Sequence, residues 1–111
     1  MRPLLRRRMV LETSQRSPDG AGGFAETWQP LGELWVELTP MPGREIAAGG
    51  AALSQNTQRI VLRGAPEGSA MRPRPGQRLR EGARIFSILA VSERDPAGRY
   101  LSCFTREEVA R

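Results

Sequence analysis

The sequence predicts a small, loop-rich all-β domain, and three observations carry that expectation. The composition has 12 Gly, 9 Pro and only 5% aromatic residues, which fits short strands joined by turns better than a helical bundle. Two segments, 4–14 and 58–63, alternate apolar and polar residues at period two. The stretch from Arg78 to Phe104 reads as a β-hairpin: Ile85 to Val91 is an apolar β-forming run, Asp95-Pro96-Ala97-Gly98 supplies the turn, and Arg99 to Phe104 returns antiparallel. Ile85, Leu89 and Val91 fall on one face of the first run and Phe86, Ile88 and Ala90 on the other. Both faces therefore need cover.

From the start of the chain, Leu4 to Ser14 is a first strand, with Leu5, Met9 and Leu11 on one face and Arg6, Arg8 and Glu12 on the other. The Arg6-Arg7-Arg8 run is open to two readings, a phosphate contact or a solvated edge that discourages aggregation. Ser17 to Gly23 is a hairpin loop; its glycines lack the GxxxxGK[ST] pattern of a phosphate cradle. Phe24 to Trp28 and Leu34 to Leu38 form one interrupted strand or two short ones, bent at Pro30 and Gly32. Trp28 and Trp35 are expected as core anchors, with a partner-facing or base-stacking role as the alternative.

Residues 39–57 lose periodicity and form a long loop, a length that in compact domains usually signals function or ordering by a partner. Gln58 to Arg63 then places Ile60 and Leu62 opposite Arg59, Val61 and Arg63, as in a half-buried strand. Residues 64–77 are a second loop in which Arg72 and Arg74 alternate with Pro73 and Pro75, near polyproline geometry. With Arg78, Arg80 and Arg84 this is the densest basic region, diluted by Glu81. Thr105 to Glu108 matches a capping box and predicts a short C-terminal helix. The expected core is Trp28, Trp35, Ile60, Leu62, Ile85, Phe86, Ile88, Leu101 and Cys103.

The 111 residues allow a single domain, 1–111, with too little core to be robust alone. No stretch approaches a membrane span and no signal-peptide core follows the arginines, so a soluble cytoplasmic product without membrane partners is expected. All 17 basic residues are Arg, and the net charge of +5 suits nucleic acid or an acidic protein equally. The absence of His removes His-based catalysis and His metal ligation. Cys103 has no disulfide partner and reads as a small buried hydrophobe. Glu33 and Glu37 flank Trp35 on what reads as a solvated face. No nucleophile with a base, carboxylate pair or metal-ligand spacing is present, so no catalytic residue, metal or cofactor is expected and the role is binding or assembly.

The order of landmarks resembles the tailed-phage head-to-tail joining proteins. A basic first strand, Asp19 with Gly22-Gly23, Trp28, and Trp35 with an alternating strand look like that family's N-terminal half. Arg59 to Arg63, Arg78-Leu79, Gly82 to Ile88 and Arg99 to Cys103 look like its closing strands. The resemblance implies a small β-barrel or sandwich-like domain with long loops, acting as the head-closure or stopper protein of a phage, prophage or gene transfer agent. It also implies a homo-oligomeric ring, dodecamer or hexamer, assembled in the cytoplasm and carried at the particle's head–tail junction. Portal-adaptor proteins would lie above it, tail proteins below, and double-stranded DNA would pass without sequence readout. Within that scheme Arg72, Arg74, Arg78, Arg80 and Arg84 are candidate DNA-channel or partner contacts. Met41, Arg44, Glu45, Ile46 and Gln55 are candidates for a gating or inter-subunit loop, although the Gly/Ala-rich segment 41–56 departs from the family pattern. The rival from another class is a free-standing OB-like nucleic-acid-binding barrel, for which the aromatics are few and not interleaved with Arg on one strand.

Overall fold

A computed structural model describes residues 2–41 and 56–108. Its strands are β1 (Arg7–Pro18), β2 (Phe24–Pro40), β3 (Thr57–Arg63), β4 (Arg78–Glu81), β5 (Arg84–Glu93) and β6 (Tyr100–Glu107). All pair antiparallel in the order β1-β2-β3-β6-β5-β4, and β4 returns to β1 to close a barrel. Strand alternation sends one side chain in two inward. Met9, Leu11, Val36, Ile60, Leu62, Leu79, Phe86, Ile88, Leu101 and Cys103 meet there as a buried core. These side chains fill the barrel, as expected for so few strands.

The turns follow their residue chemistry. Asp19 Oδ1 accepts the N–H groups of Ala21 and Gly23 at 2.8 and 3.0 Å, and Gly20 and Gly22 take φ of +81° and +88°. Those two N–H groups hold the Asp19 carboxyl below its ordinary value. Asp95 does the same work between β5 and β6, accepting from Tyr100 N–H at 3.0 Å. Between β4 and β5, Gly82 takes the left-handed conformation, with φ of +58°.

Two ladder irregularities reset which face each side chain occupies. Between Ile88 and Ala90 the β5–β6 register shifts at Leu89, so Phe86 and Ile88 point inward before the shift and Val91 packs on the core after it. Leu89 is left exposed. The expected grouping of Ile85, Leu89 and Val91 on one face is therefore corrected: Ile85 is half-buried outside the core cluster, and the two-faced apolar run is two inward sets joined by a bulge. The second shift lies between Leu11 and Glu12, opposite Leu31, within a β2 that runs unbroken through Pro30 and Gly32.

Three further expectations change. Thr105 to Glu107 belong to β6, not to a helix, because β3 and β5 both offer them ladder hydrogen bonds. Trp35, expected in the core, is 55% exposed, and Trp28 is half-buried on the outer face. The 39–57 loop is shorter at both ends, since Thr39 and Pro40 close β2 and Thr57 opens β3. Val61 and Ser102, on the outer face, are nonetheless buried. The residues before β1 cover that region: Pro3 is buried, Leu4 N–H donates to Glu37 at 2.8 Å, and Arg2 lines one depression with Arg94 and Tyr100.

Candidate functional site

The closed end of the barrel is built from charge. Arg7, Glu81 and Arg84 stand on the inward side of β1, β4 and β5, one step beyond Met9, Leu79 and Phe86, and Glu107 stands on the inward side of β6 opposite Phe86. Arg7 is hydrogen-bonded to both Glu81 carboxylate oxygens. Arg84 makes a two-point contact with Glu107 at 2.7 and 2.9 Å and lies 5.0 Å from the Phe86 ring centroid. Gln58 Nε2 adds a 3.3 Å contact to Glu107 from β3. Hydrogen bonds from Arg7 hold the Glu81 carboxyl below its ordinary value, and those from Arg84 do the same for Glu107. This rim lets the apolar core stop without exposing Phe86 to water. The segment between β2 and β3 leaves from the same end, where Met41 N–H donates to the Thr57 carbonyl at 3.1 Å.

The outer face carries a second cluster. Glu12 is 5% exposed and receives Arg78 Nε at 2.7 Å and Arg80 Nε at 2.9 Å. Burial pushes its carboxyl up, and the hydrogen bonds and charges of the two arginines outweigh that, leaving it below the ordinary value. Arg78 also stacks on Trp28, 4.1 Å from the ring centroid. Along the same side of β1 and β2, Arg16 lies 4.8 Å from Phe24 and Arg8 5.9 Å from Trp35. The arginines and aromatics interleave on one face although, as the sequence reads, they do not interleave on any one strand. They do so across strands, which no reading of a single strand detects.

At the opposite end from the ionic rim, residues 64–77 fold over the barrel mouth. Pro73 is fully buried, and Met71 presses on Gly32, where an added Cβ would come within 2.9 Å of its sulfur and methyl. Arg72 Nη1 donates to the Ala65 carbonyl at 2.8 Å. Arg74 is exposed, and among the described residues its guanidinium has no partner. The five arginines of the expected basic strip thus occupy three places. Arg72 and Arg74 cap one end, Arg78 and Arg80 share Glu12 on the outside, and Arg84 seals the other end. Of the loop candidates, Met41 is described, while Arg44, Glu45, Ile46 and Gln55 lie outside the described residues.

The sequence reading missed the burial of Glu12 and the ionic rim. The signal for the rim was an Arg or Glu at the end of four inward-facing rows, at positions 7, 81, 84 and 107. Among the described residues no group of His, Cys, Asp and Glu could hold a metal ion. Burial raises the Cys103 thiol to about 12, which leaves it inert as a nucleophile.

Residues 1–108 match the family model described as phage head completion protein. The chain belongs to the phage head completion protein family. This is a family of structural virion proteins, and membership assigns the chain a structural part at the head–tail region of a phage-like particle. Among solved structures, the head completion fold seen here is similar to a chain in the virion of a native gene transfer agent particle. The TM-score is 0.77 at 53% identity, with 98% of this chain and all of that one covered. A Shigella flexneri 2a protein solved in solution is similar at a TM-score of 0.70 and 25% identity, with 96% of each chain covered. No curated protein matches the chain.

Proposed function

We propose that the protein is the head-closure subunit of a gene-transfer-agent or prophage particle. In this reading several copies form a ring at the head–tail junction, between a portal-adaptor complex and the tail, and DNA passes through the ring. The observation that carries the reading is the 53% identity, over 98% of this chain, to a chain of a native gene transfer agent virion. The barrel's own geometry supports the ring. Its interior is packed with side chains and both ends are capped, so one subunit offers no passage to DNA. A conduit then requires a channel between copies, and a closed cyclic assembly supplies one. Backbone-directed contact of such a ring with DNA needs positive charge but no base readout.

Among the five arginines, Arg74 is the contact this reading favours, because the other four already serve groups within the chain. The same pairing weakens the OB-like rival, since arginines held by Glu12 and Glu107 are poorly free for phosphates. Two measurements separate the readings. Purified protein mixed with a portal-adaptor complex is expected to form rings by electron microscopy and to bind single-stranded DNA weakly. Tight, steeply salt-dependent binding of the monomer to single-stranded DNA, without rings, would favour the rival. Arg74→Gln is expected to lower DNA retention in particles, and unchanged retention would remove Arg74 from the channel.

A further inference from the structure

The β1–β2 hairpin is longer than the barrel needs. β1 pairs with β4 only at Val10–Glu12, and β2 pairs with β3 only from Val36 onward. Thr13–Pro18 and Phe24–Gln29 therefore project as a two-stranded ribbon with no strand of the described residues on either edge. Such a ribbon is marginal in water by itself. Its outward side is continuous with the outer face of the barrel, and the two exposed large aromatics of the chain lie on this side at its two ends. Phe24, at the ribbon tip, is 62% exposed, and Trp35, on the barrel, is 55% exposed. Eleven residue steps, one of them taken up by the bulge at Leu31, separate them by roughly 33–36 Å.

Charge narrows the choice of what covers this side. Arg8 is 3.6 Å from Glu33, Arg16 stands opposite Glu26, and Arg78 holds Glu12, so the face is close to neutral on a chain of net charge +5. Nucleic acid gains little from arginines already matched by carboxylates, and an acidic partner gains little either. A second copy, repelled by the net charge elsewhere, meets least repulsion here. Aromatics flanked by Arg are also the residue types that dominate protein interfaces.

We propose that this face joins copies of the chain head to tail, the ribbon tip of one copy, with Phe24 and Arg16, seating beside Trp35 and Arg8 of the next. Because the two aromatics lie at opposite ends of one face, each copy gives a tip and receives one. The inference deepens the ring reading and rests on it.

Disulfide trapping tests the contact. Phe24→Cys and Trp35→Cys are made in separate chains; both sites are exposed, and buried Cys103 does not compete. Mild oxidation of the mixture is expected to give a cross-linked dimer that neither variant gives alone, and Phe24→Ser is expected to abolish self-association in sedimentation. Three results would overturn the inference: no cross-link in the mixture, a cross-link formed by Phe24→Cys alone, or a wild-type chain that stays monomeric at its highest soluble concentration. Rings that form on the portal-adaptor complex without the 24–35 cross-link would overturn this contact and leave the ring reading standing. Preferential protection of Phe24 and Trp35 by single-stranded DNA would assign the face to nucleic acid instead.

Discussion

The lower half of the β1–β2 hairpin and its upper half are the same two strands in the same ladder, yet they differ in everything except backbone pairing. In the lower half, Met9, Leu11 and Val36 are buried and both strands have outer neighbours. In the upper half, Thr13 to Pro18 and Phe24 to Gln29 are mostly exposed and, among the described residues, no strand pairs with either edge. A hydrogen-bonded ladder is thus compatible with a core or with none. What separates the two is whether inward-facing side chains have a third and fourth strand to meet. The barrel half holds the core, and the ribbon half holds none of it.

The largest effect is expected from charging the barrel half. Phe86→Asp removes a fully buried ring and puts a carboxylate among Leu79, Leu101 and Ile88, a cost above about 4 kcal/mol. Circular dichroism should show loss of the fold, and a folded variant would mean the core is misplaced. Next comes Glu12→Gln, which leaves Arg78 and Arg80 without their shared carboxylate and should cost about 3 kcal/mol in urea unfolding. Glu12, Glu81 and Glu107 all have folded values below the ordinary 4.5, so the unfolded chain binds more protons as the pH falls. Their contribution is full above that value and is lost as the pH drops through the folded values. The urea midpoint should therefore hold near neutrality and fall in acid, less steeply in Glu12→Gln.

A smaller effect belongs to the join between β3 and the loop over the barrel mouth. A Cβ on Gly64 would lie 2.2 Å from the Gly98 carbonyl oxygen, so Gly64→Ala should cost about 2 kcal/mol in thermal unfolding. The smallest is expected in the ribbon: Phe24→Ser should shift monomer stability by less than about 0.5 kcal/mol. A large loss of monomer stability there would erase the distinction between the two halves.

Much of the barrel was legible in the sequence, for a physical reason. Alternation in Met9–Leu11 and Ile60–Leu62, and the turn residues at Asp19-Gly20 and Asp95-Pro96-Ala97-Gly98, are local signals that the fold obeys. The rest depends on partners. A bulge such as the one at Leu89 is defined by the strand opposite, so simple alternation assigned the wrong face beyond it. The four residues of β4 are mostly charged and gain their meaning from β1 and β5. The capping-box pattern at Thr105 is also local, and it lost to two flanking strands. Trp35 reads as inward because large aromatics usually are buried, while the parity of β2 against Arg8 turns it out. The basic strip was legible as composition only, since the acids that divide it, Glu12 and Glu107, are remote in sequence.

The central claim is that this barrel completes the head of a phage-like particle, and removing it from a producing strain tests that most directly. Electron microscopy of particles made without the gene should show heads that lack tails and fail to retain DNA, restored by the wild-type chain. Tailed, DNA-filled particles in its absence would contradict the account.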